Sequence, residues 1–265
     1  MIISYEEGFL KIENGKLSVD GESVESHEII KELGRGASGI VFLARNRLLD
    51  REEALKVWVK LREGDQRDKK IQGLMELRKL AQANPMYAVQ VFEARNLKSA
   101  VIALMEYIPS VTLKEYVKMC VGVRNILGLA YAYIELINKT TAPETLHGDP
   151  HACNVLVCKE QVSKYETLLV LKLCDYGTSK FNKNADSGVR HWKTVWMTLV
   201  YITKRLPGSD VARAAVKEFK EISIANFNEM SRRPDLFSAE EMSRALSAFM
   251  RDYLSYWDYE WNFGG

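Results

Sequence analysis

The sequence predicts an α+β fold, with strands gathered before residue 107 and helices prevailing after it. Three observations carry this. Short β-forming runs, separated by glycine or Asn-Gly turns, fill most of residues 8–106. From Pro207-Gly208 onward the periodicity is helical. Between these regions, two acids and one amide stand beside two apolar, strand-like runs. The 265 residues suffice for one large domain or for two small lobes sharing a cleft.

Residues 8–20 alternate around Asn14-Gly15, which predicts a hairpin in a small N-terminal sheet extension. Next comes Gly34-x-Gly36-x-x-Gly39-x-Val41. Glycines accept positive φ and let a backbone approach phosphates closely. In a dinucleotide fold such glycines would open a helix. Here Ile40-Val41-Phe42-Leu43-Ala44 follow, all suited to a strand, which favours a strand–turn–strand hairpin over phosphates; an ordinary glycine hairpin is the alternative. Residues 53–59 read as a strand carrying Lys56 between Leu55 and Val57, either solvated or functional.

Ile71, Leu74, Met75, Leu77 and Leu80 recur at three and four, which predicts a helix over 65–83 ended by Asn84-Pro85. Glu76, at the edge of that stripe, is the best candidate to pair with Lys56; Glu53 and Glu63 compete. Strands are expected over 89–94 and 100–106. Thr112 with Glu115 reads as a capping box for a helix ending near Cys120. The apolar region 126–137 is interrupted by Glu135 and is too short to span a bilayer.

Residues 147–154 read His-Gly-Asp-Pro-His-Ala-Cys-Asn. Asp149 and Asn154 precede the apolar run 155–157, and Asp175 follows the run 168–173. Two acids and an amide so placed can hold magnesium against a phosphate. The polar stretch 159–167 predicts a long hairpin. Arg190-His191-Trp192-Lys193 opens an apolar helix over 194–202 and is read as a buried helix start rather than as catalytic. Helices are expected over 209–224, 226–233 and 238–256, the last with a capping box, Ser238 and Glu241. The aromatic end, 256–261, is read as pinning the C-terminus.

The chain is 47% hydrophobic and 27% charged, and 37 basic against 35 acidic residues leave a net charge of +2. That balance argues against a nucleic-acid or membrane-surface role. Cys120, Cys153, Cys158 and Cys174 form no C-x-x-C pair and no zinc spacing, which fits a reduced, cytoplasmic setting. Cys153 and Cys174 are read as buried thiols rather than redox sensors. The acidic N-terminus lacks a signal-peptide pattern.

Taken in order, the glycine loop, Ala54-Leu55-Lys56, Glu76, Met105-Glu106-Tyr107, His147-Gly148-Asp149 with Asn154, and Asp175-Tyr176-Gly177 resemble the protein-kinase-like superfamily over about residues 27–200. The resemblance implies a bilobal fold. A small β-rich N-lobe, 1–105, would hold a five-stranded sheet and one helix; a larger helical C-lobe, 106–265, would follow a hinge at 106–110. It implies ATP and Mg²⁺ as cofactors. Gly34, Gly36, Ser38 and Gly39 would cover the phosphates, with Glu106 and Tyr107 at adenine, Val41 and Ala54 above the ring and Leu156 below it. Lys56 would hold the α- and β-phosphates, oriented by Glu76. Asp149 would position an acceptor hydroxyl and take its proton, while Asn154 and Asp175 would bind the metal.

Several residues depart from the common pattern. His-Gly-Asp replaces His-Arg-Asp and is similar to the UbiB, RIO and aminoglycoside/choline kinase branches, whereas the glycine loop is nearer to ordinary protein kinases. Without the arginine, no switching by activation-loop phosphorylation is expected. No Ala-Pro-Glu follows Asp175-Tyr176-Gly177. The implied function is a compact, atypical Ser/Thr protein kinase acting on a protein substrate. A kinase with a small-molecule acceptor, aminoglycoside- or choline-like, is the alternative. A nucleotide-binding pseudokinase is the third reading, opposed by the presence of Lys56, Asp149, Asn154 and Asp175.

Overall fold

The computed structural model describes residues 5–7, 10–36, 39–59, 67–140, 147–161, 167–176 and 186–206, with single positions at 221, 244 and 248. Ser38, Gly177, the stretch 178–185 and nearly all of the helices expected beyond 207 lie outside the described residues. Two compact units emerge. The first is Met1–Pro109 with Asp175–Thr178, and the second is Ser110–Cys174 with Ser179–Gly265.

In the first unit, β1 (Tyr5–Glu7), β2 (Leu10–Glu13), β3 (Lys16–Val19) and β4 (Glu22–Ser23) form an antiparallel meander in chain order. Asn14 and Gly15 make its predicted turn at φ 50° and 74°, the left-handed pair that a tight hairpin demands. A second sheet contains β5 (His27–Gly36), β6 (Gly39–Asn46), β7 (Arg51–Trp58), β8 (Val91–Asn96) and β9 (Val101–Glu106), in the order β5-β6-β7-β9-β8. Between β7 and β8 runs α1 (Arg67–Gln82).

Strand β7 is central and buried on both faces. Its side chains alternate. Leu55 and Val57 join Ile40, Phe42, Ala44, Ile102 and Leu104 in a core completed by Leu10, Ile12, Leu17 and Val19 of the meander. Those four meander residues are fully buried, each worth about 1.5–3 kcal/mol relative to exposure. The N-terminal extension is therefore the cover of one sheet face. Ala54, Lys56 and Trp58 lie on the opposite face, from which Lys56 and Trp58 reach Glu76 of α1.

The rotation of α1 corrects the stripe read from its sequence. Leu77 and Leu80 are buried, but Ile71, Leu74 and Met75 are 48%, 36% and 43% exposed. The inward face is Gly73, Glu76, Leu77 and Leu80, an i, i+3, i+4, i+7 set that includes a glycine and an acid. Hydrophobic periodicity does not count either residue, so it misplaced the face.

In the second unit, β10 (Val111–Thr112) leads into α2 (Leu113–Met119) and α3 (Val123–Thr140). The capping box forms as predicted: Glu115 N–H donates to Thr112 Oγ1 at 3.3 Å, and Thr112 N–H donates to Glu115 Oε2 at 2.9 Å. Strands β11 (Val155–Gln161) and β12 (Thr167–Leu173) form the long hairpin and add to β10. Helix α4 (Asp186–Thr203) begins before the predicted Thr194. Val195, Trp196, Leu199 and Ile202 of α4, and Leu127, Ala130, Tyr133 and Ile134 of α3, are buried. Among the described residues no helix is long and apolar enough to cross a membrane. The architecture is bilobal, a β-rich first lobe and a second in which helices predominate.

Candidate active site

Strands β5 and β6 pair up to the loop tip, with Gly34 opposite Val41 and Gly36 opposite Gly39. Gly39 has φ 132°, and a Cβ there would lie 2.0 Å from the Val57 carbonyl oxygen, so packing alone requires glycine. Gly34 and Gly36 differ, since a Cβ on either would meet nothing within 4 Å. The fold does not demand these two glycines; a ligand approaching the backbone would.

One strand along at the same register position, Lys56 lies opposite Val41. Its ammonium, 4% exposed, donates to Glu76 Oε1 at 2.6 Å and to Asp175 Oδ1 at 3.0 Å. A buried lysine with two carboxylates keeps its charge. Burial works to lower its pKa, but attraction to Glu76 and Asp175 prevails and leaves it raised. Burial acts the other way on Glu76 and, despite Lys56, pushes it up from the usual 4.5 to about 7. Of the competing acids, Glu53 is committed elsewhere: it accepts from His27, Asn46 and Arg51. Glu63 lies outside the described residues. Asp175 adopts φ 57°, a left-handed conformation that aspartate tolerates better than most residues.

In the second unit the catalytic-type loop is fixed by its own backbone. Asp149 N–H donates to His147 Nδ1 at 3.2 Å, which makes that nitrogen the acceptor. The ring hydrogen then sits on Nε2 and points at the Cys174 carbonyl, 2.9 Å away. Gly148, at φ 84°, donates its N–H to Nδ1 of buried His191 at 3.4 Å. Tyr133, on α3, donates its hydroxyl to the Pro150 carbonyl at 2.6 Å. Its burial and the nearby Asp149 charge raise the phenol's pKa, so it stays a neutral donor.

Both Asp149 carboxylate oxygens have partners on α4. Arg190 Nη2 donates to Oδ2 at 2.5 Å, and Thr194 Oγ1 to Oδ1 at 3.2 Å. Residues 190 and 194 share a helix face at i, i+4. This corrects the reading of residues 190–193 as merely a buried helix start: Arg190 and His191 both hold the loop. The side chain of Trp192 lies outside the described residues. A basic residue and a hydroxyl four apart, at the head of an apolar helix, were the available signal.

Asn154 donates its Nδ2 to the Asp149 carbonyl at 3.0 Å. Its Oδ1 is a hard oxygen, of the kind that Mg²⁺ accepts. Asn154 O accepts from Cys174 N–H at 2.9 Å, continuing the β11–β12 ladder beyond Val155 and Leu173. One hairpin end thus fixes Asn154 and the residue preceding Asp175. An amide oxygen and a carboxylate suit Mg²⁺, which takes few protein ligands and completes its shell with phosphate and water. Among the described residues no three His, Cys, Asp or Glu side chains gather as a metal cage.

The remaining candidates divide between the units. Ala54 is buried beside Met105 in the register, and Val41 and Tyr107 are half-buried. Glu106 N–H donates to the Gln90 carbonyl at 2.8 Å. Leu156 is half-buried on β11, opposite Thr112. Cys153 is exposed and Cys174 half-buried, so neither is the buried thiol expected.

Comparison with known proteins agrees with this architecture. A cysteine-to-alanine mutant of the kinase domain of PknI from Mycobacterium tuberculosis superposes with a TM-score of 0.56 at 15% identity, covering 85% of this chain and 96% of that one. A variant of that domain gives 0.55 at 14% identity with the same coverage. In sequence, mouse cyclin-dependent kinase-like 4 is 25% identical over 175 residues, 65% of this chain and 48% of the relative. The human protein of that name is 26% identical over 175 residues, 65% of this chain and 44% of its own length. The chain spans about half the length of these curated relatives. The model of the protein kinase domain matches residues 27–212, well over half the sequence. This chain belongs to the protein kinase domain family.

Proposed function

We propose that this chain is an ATP-dependent phosphotransferase, a compact Ser/Thr-type protein kinase of atypical loop sequence that moves the γ-phosphoryl group of Mg-ATP to a protein hydroxyl. The observation that carries the reading is the buried Lys56 ammonium, bonded to both Glu76 and Asp175. A lysine so charged and so oriented is a phosphate-binding point charge.

In this reading Lys56 binds the α- and β-phosphates, and Glu76 keeps its ammonium in place. Gly34, Gly36 and Gly39 would approach the phosphates through the backbone, and Ser38 is read with them from the sequence alone. Val41, Ala54, Glu106, Tyr107 and Leu156 enclose adenine. Asn154 and Asp175 would hold Mg²⁺, which when bound supplies neutralisation of phosphate charge. Asp149 orients the acceptor hydroxyl and accepts its proton, and Arg190 with Thr194 fixes the carboxylate plane. Phosphoryl transfer needs positioning and charge neutralisation more than covalent chemistry, and these residues supply both.

Gly148 bears on subfamily. Its φ of 84° suits glycine and strains any other side chain, so an arginine is disfavoured here by backbone as well as by sequence. That favours a loop assembled without a phosphorylated activation segment, as the atypical branches imply. The four cysteines are thiols, in keeping with a cytoplasmic setting. Radiolabelled ATP with Mg²⁺ tests the function. Label is expected on the chain itself or on a generic protein acceptor. Turnover only with an amino-sugar or choline-like alcohol would make it a small-molecule kinase, and nucleotide binding without turnover would make it a pseudokinase.

A further inference from the structure

Glu76 has a second partner besides Lys56. The indole Nε1–H of Trp58 donates to Glu76 Oε2 at 2.7 Å. Trp58 and Lys56 are i, i+2 on β7 and therefore share a face. The Lys56 ammonium lies 4.7 Å from the centroid of the Trp58 ring, within cation–π range. Trp58 is 0% and Glu76 1% exposed, so each carboxylate oxygen faces protein, not water.

The helix is fitted to this ring. A Cβ on Gly73 would stand 2.8 Å from Trp58 Cγ and 3.0 Å from Cδ2. Gly73 and Glu76 are i, i+3 on one face of α1, so the glycine lets the helix come close enough for the acid to reach both donors. A carboxylate held by one donor still turns about its last bond. Held by two donors from one strand, it has one orientation.

We propose that Trp58 is a positioning residue for the nucleotide site, its indole N–H holding Glu76 so that the Lys56–Glu76 pair stands assembled before nucleotide arrives, with Gly73 as the seat for the ring. A purely packing role would explain the burial of Trp58. It would not explain why its polar edge is spent on the oxygen that Lys56 leaves. Removing the N–H leaves a buried carboxylate oxygen without its donor, and α1 then gains by turning Glu76 toward water. The site would be assembled for only part of the time, and apparent ATP affinity would fall by that fraction. The inference rests on Lys56 as the phosphate-binding lysine, but its first test does not.

That test is the indole N–H resonance of Trp58 in ¹⁵N-labelled, nucleotide-free protein, assigned by its disappearance in Trp58→Phe. Strong protection from solvent exchange is expected, lost in Gly73→Ala. Exchange as fast as that of an exposed indole, or protection unchanged in Gly73→Ala, overturns the proposal whether or not the protein transfers phosphate. The second test is kinetic. Trp58→Phe should raise KM for ATP by about tenfold and leave kcat within about twofold, and should have no further effect on a Glu76→Ala background. An unchanged KM, or an equal loss on both backgrounds, would reduce Trp58 to packing. If Trp58→Phe does not fold, Gly73→Ala carries the kinetic test with the same expectation. Absence of any phosphoryl transfer by the wild type would overturn the proposed function and leave the exchange result to decide the latch.

Discussion

Glu76 carries opposite demands. To bind Lys56 it must be ionised, yet burial raises its pKa from 4.5 to about 7. Between these values the folded protein binds the proton that the unfolded chain has lost. The stabilising share of protonated Glu76 is therefore complete below pH 4.5 and lost as pH rises through about 7. Activity should run the other way, with kcat/KM for ATP rising with pH through about 7 as the ion pair forms. Glu76→Gln should remove that limb in a pH–rate profile. Lys56, its pKa raised by two carboxylates, adds no opposing limb near neutrality. On the acceptor side, Arg190→Ala should lower kcat by up to about 10²-fold through misplacement of Asp149, with KM for ATP unchanged. Steady-state kinetics at saturating acceptor separates the two constants. The Arg190–Asp149 contact was not legible in the sequence because the partners lie 41 residues apart and local periodicity treats Arg190 as a helix-start charge.

At the scale of elements, glycines decide more than apolar stripes. Gly39→Ala would force a Cβ against the Val57 carbonyl at a φ that alanine avoids. It should destabilise by about 1–3 kcal/mol, read as a lowered Tm. Gly36→Ala, facing open space, should leave Tm nearly unchanged and weaken nucleotide binding instead. The strands, the Asn14-Gly15 hairpin and the Thr112 capping box were legible because each has a local cause: alternation, a left-handed turn or a reciprocal side-chain bond. The rotation of α1 was not, because it depends on Gly73 meeting Trp58, a contact between elements. The start of α4 was missed for a related reason. Residues 186–193 are mostly polar, and Val189 and Trp192 alone are too few to mark a helix start from sequence.

At the scale of the molecule, the family model matches residues 27–212, the stretch in which the motifs were read from the sequence. Beyond that stretch the chain adds a four-stranded meander whose buried Leu10, Ile12, Leu17 and Val19 complete the core of the first lobe. Deleting residues 1–24 should therefore expose Phe42, Leu55 and Val57 and abolish cooperative unfolding, seen by calorimetry. The measurement that most directly tests phosphoryl transfer through Lys56 and Asp149 is intact-mass spectrometry after incubation with Mg-ATP and a generic protein acceptor. Wild type should add phosphoryl groups to itself or to the acceptor, whereas Lys56→Met and Asp149→Asn should each lose at least about 10²-fold in rate. Full labelling by both variants would contradict the assignment of the site.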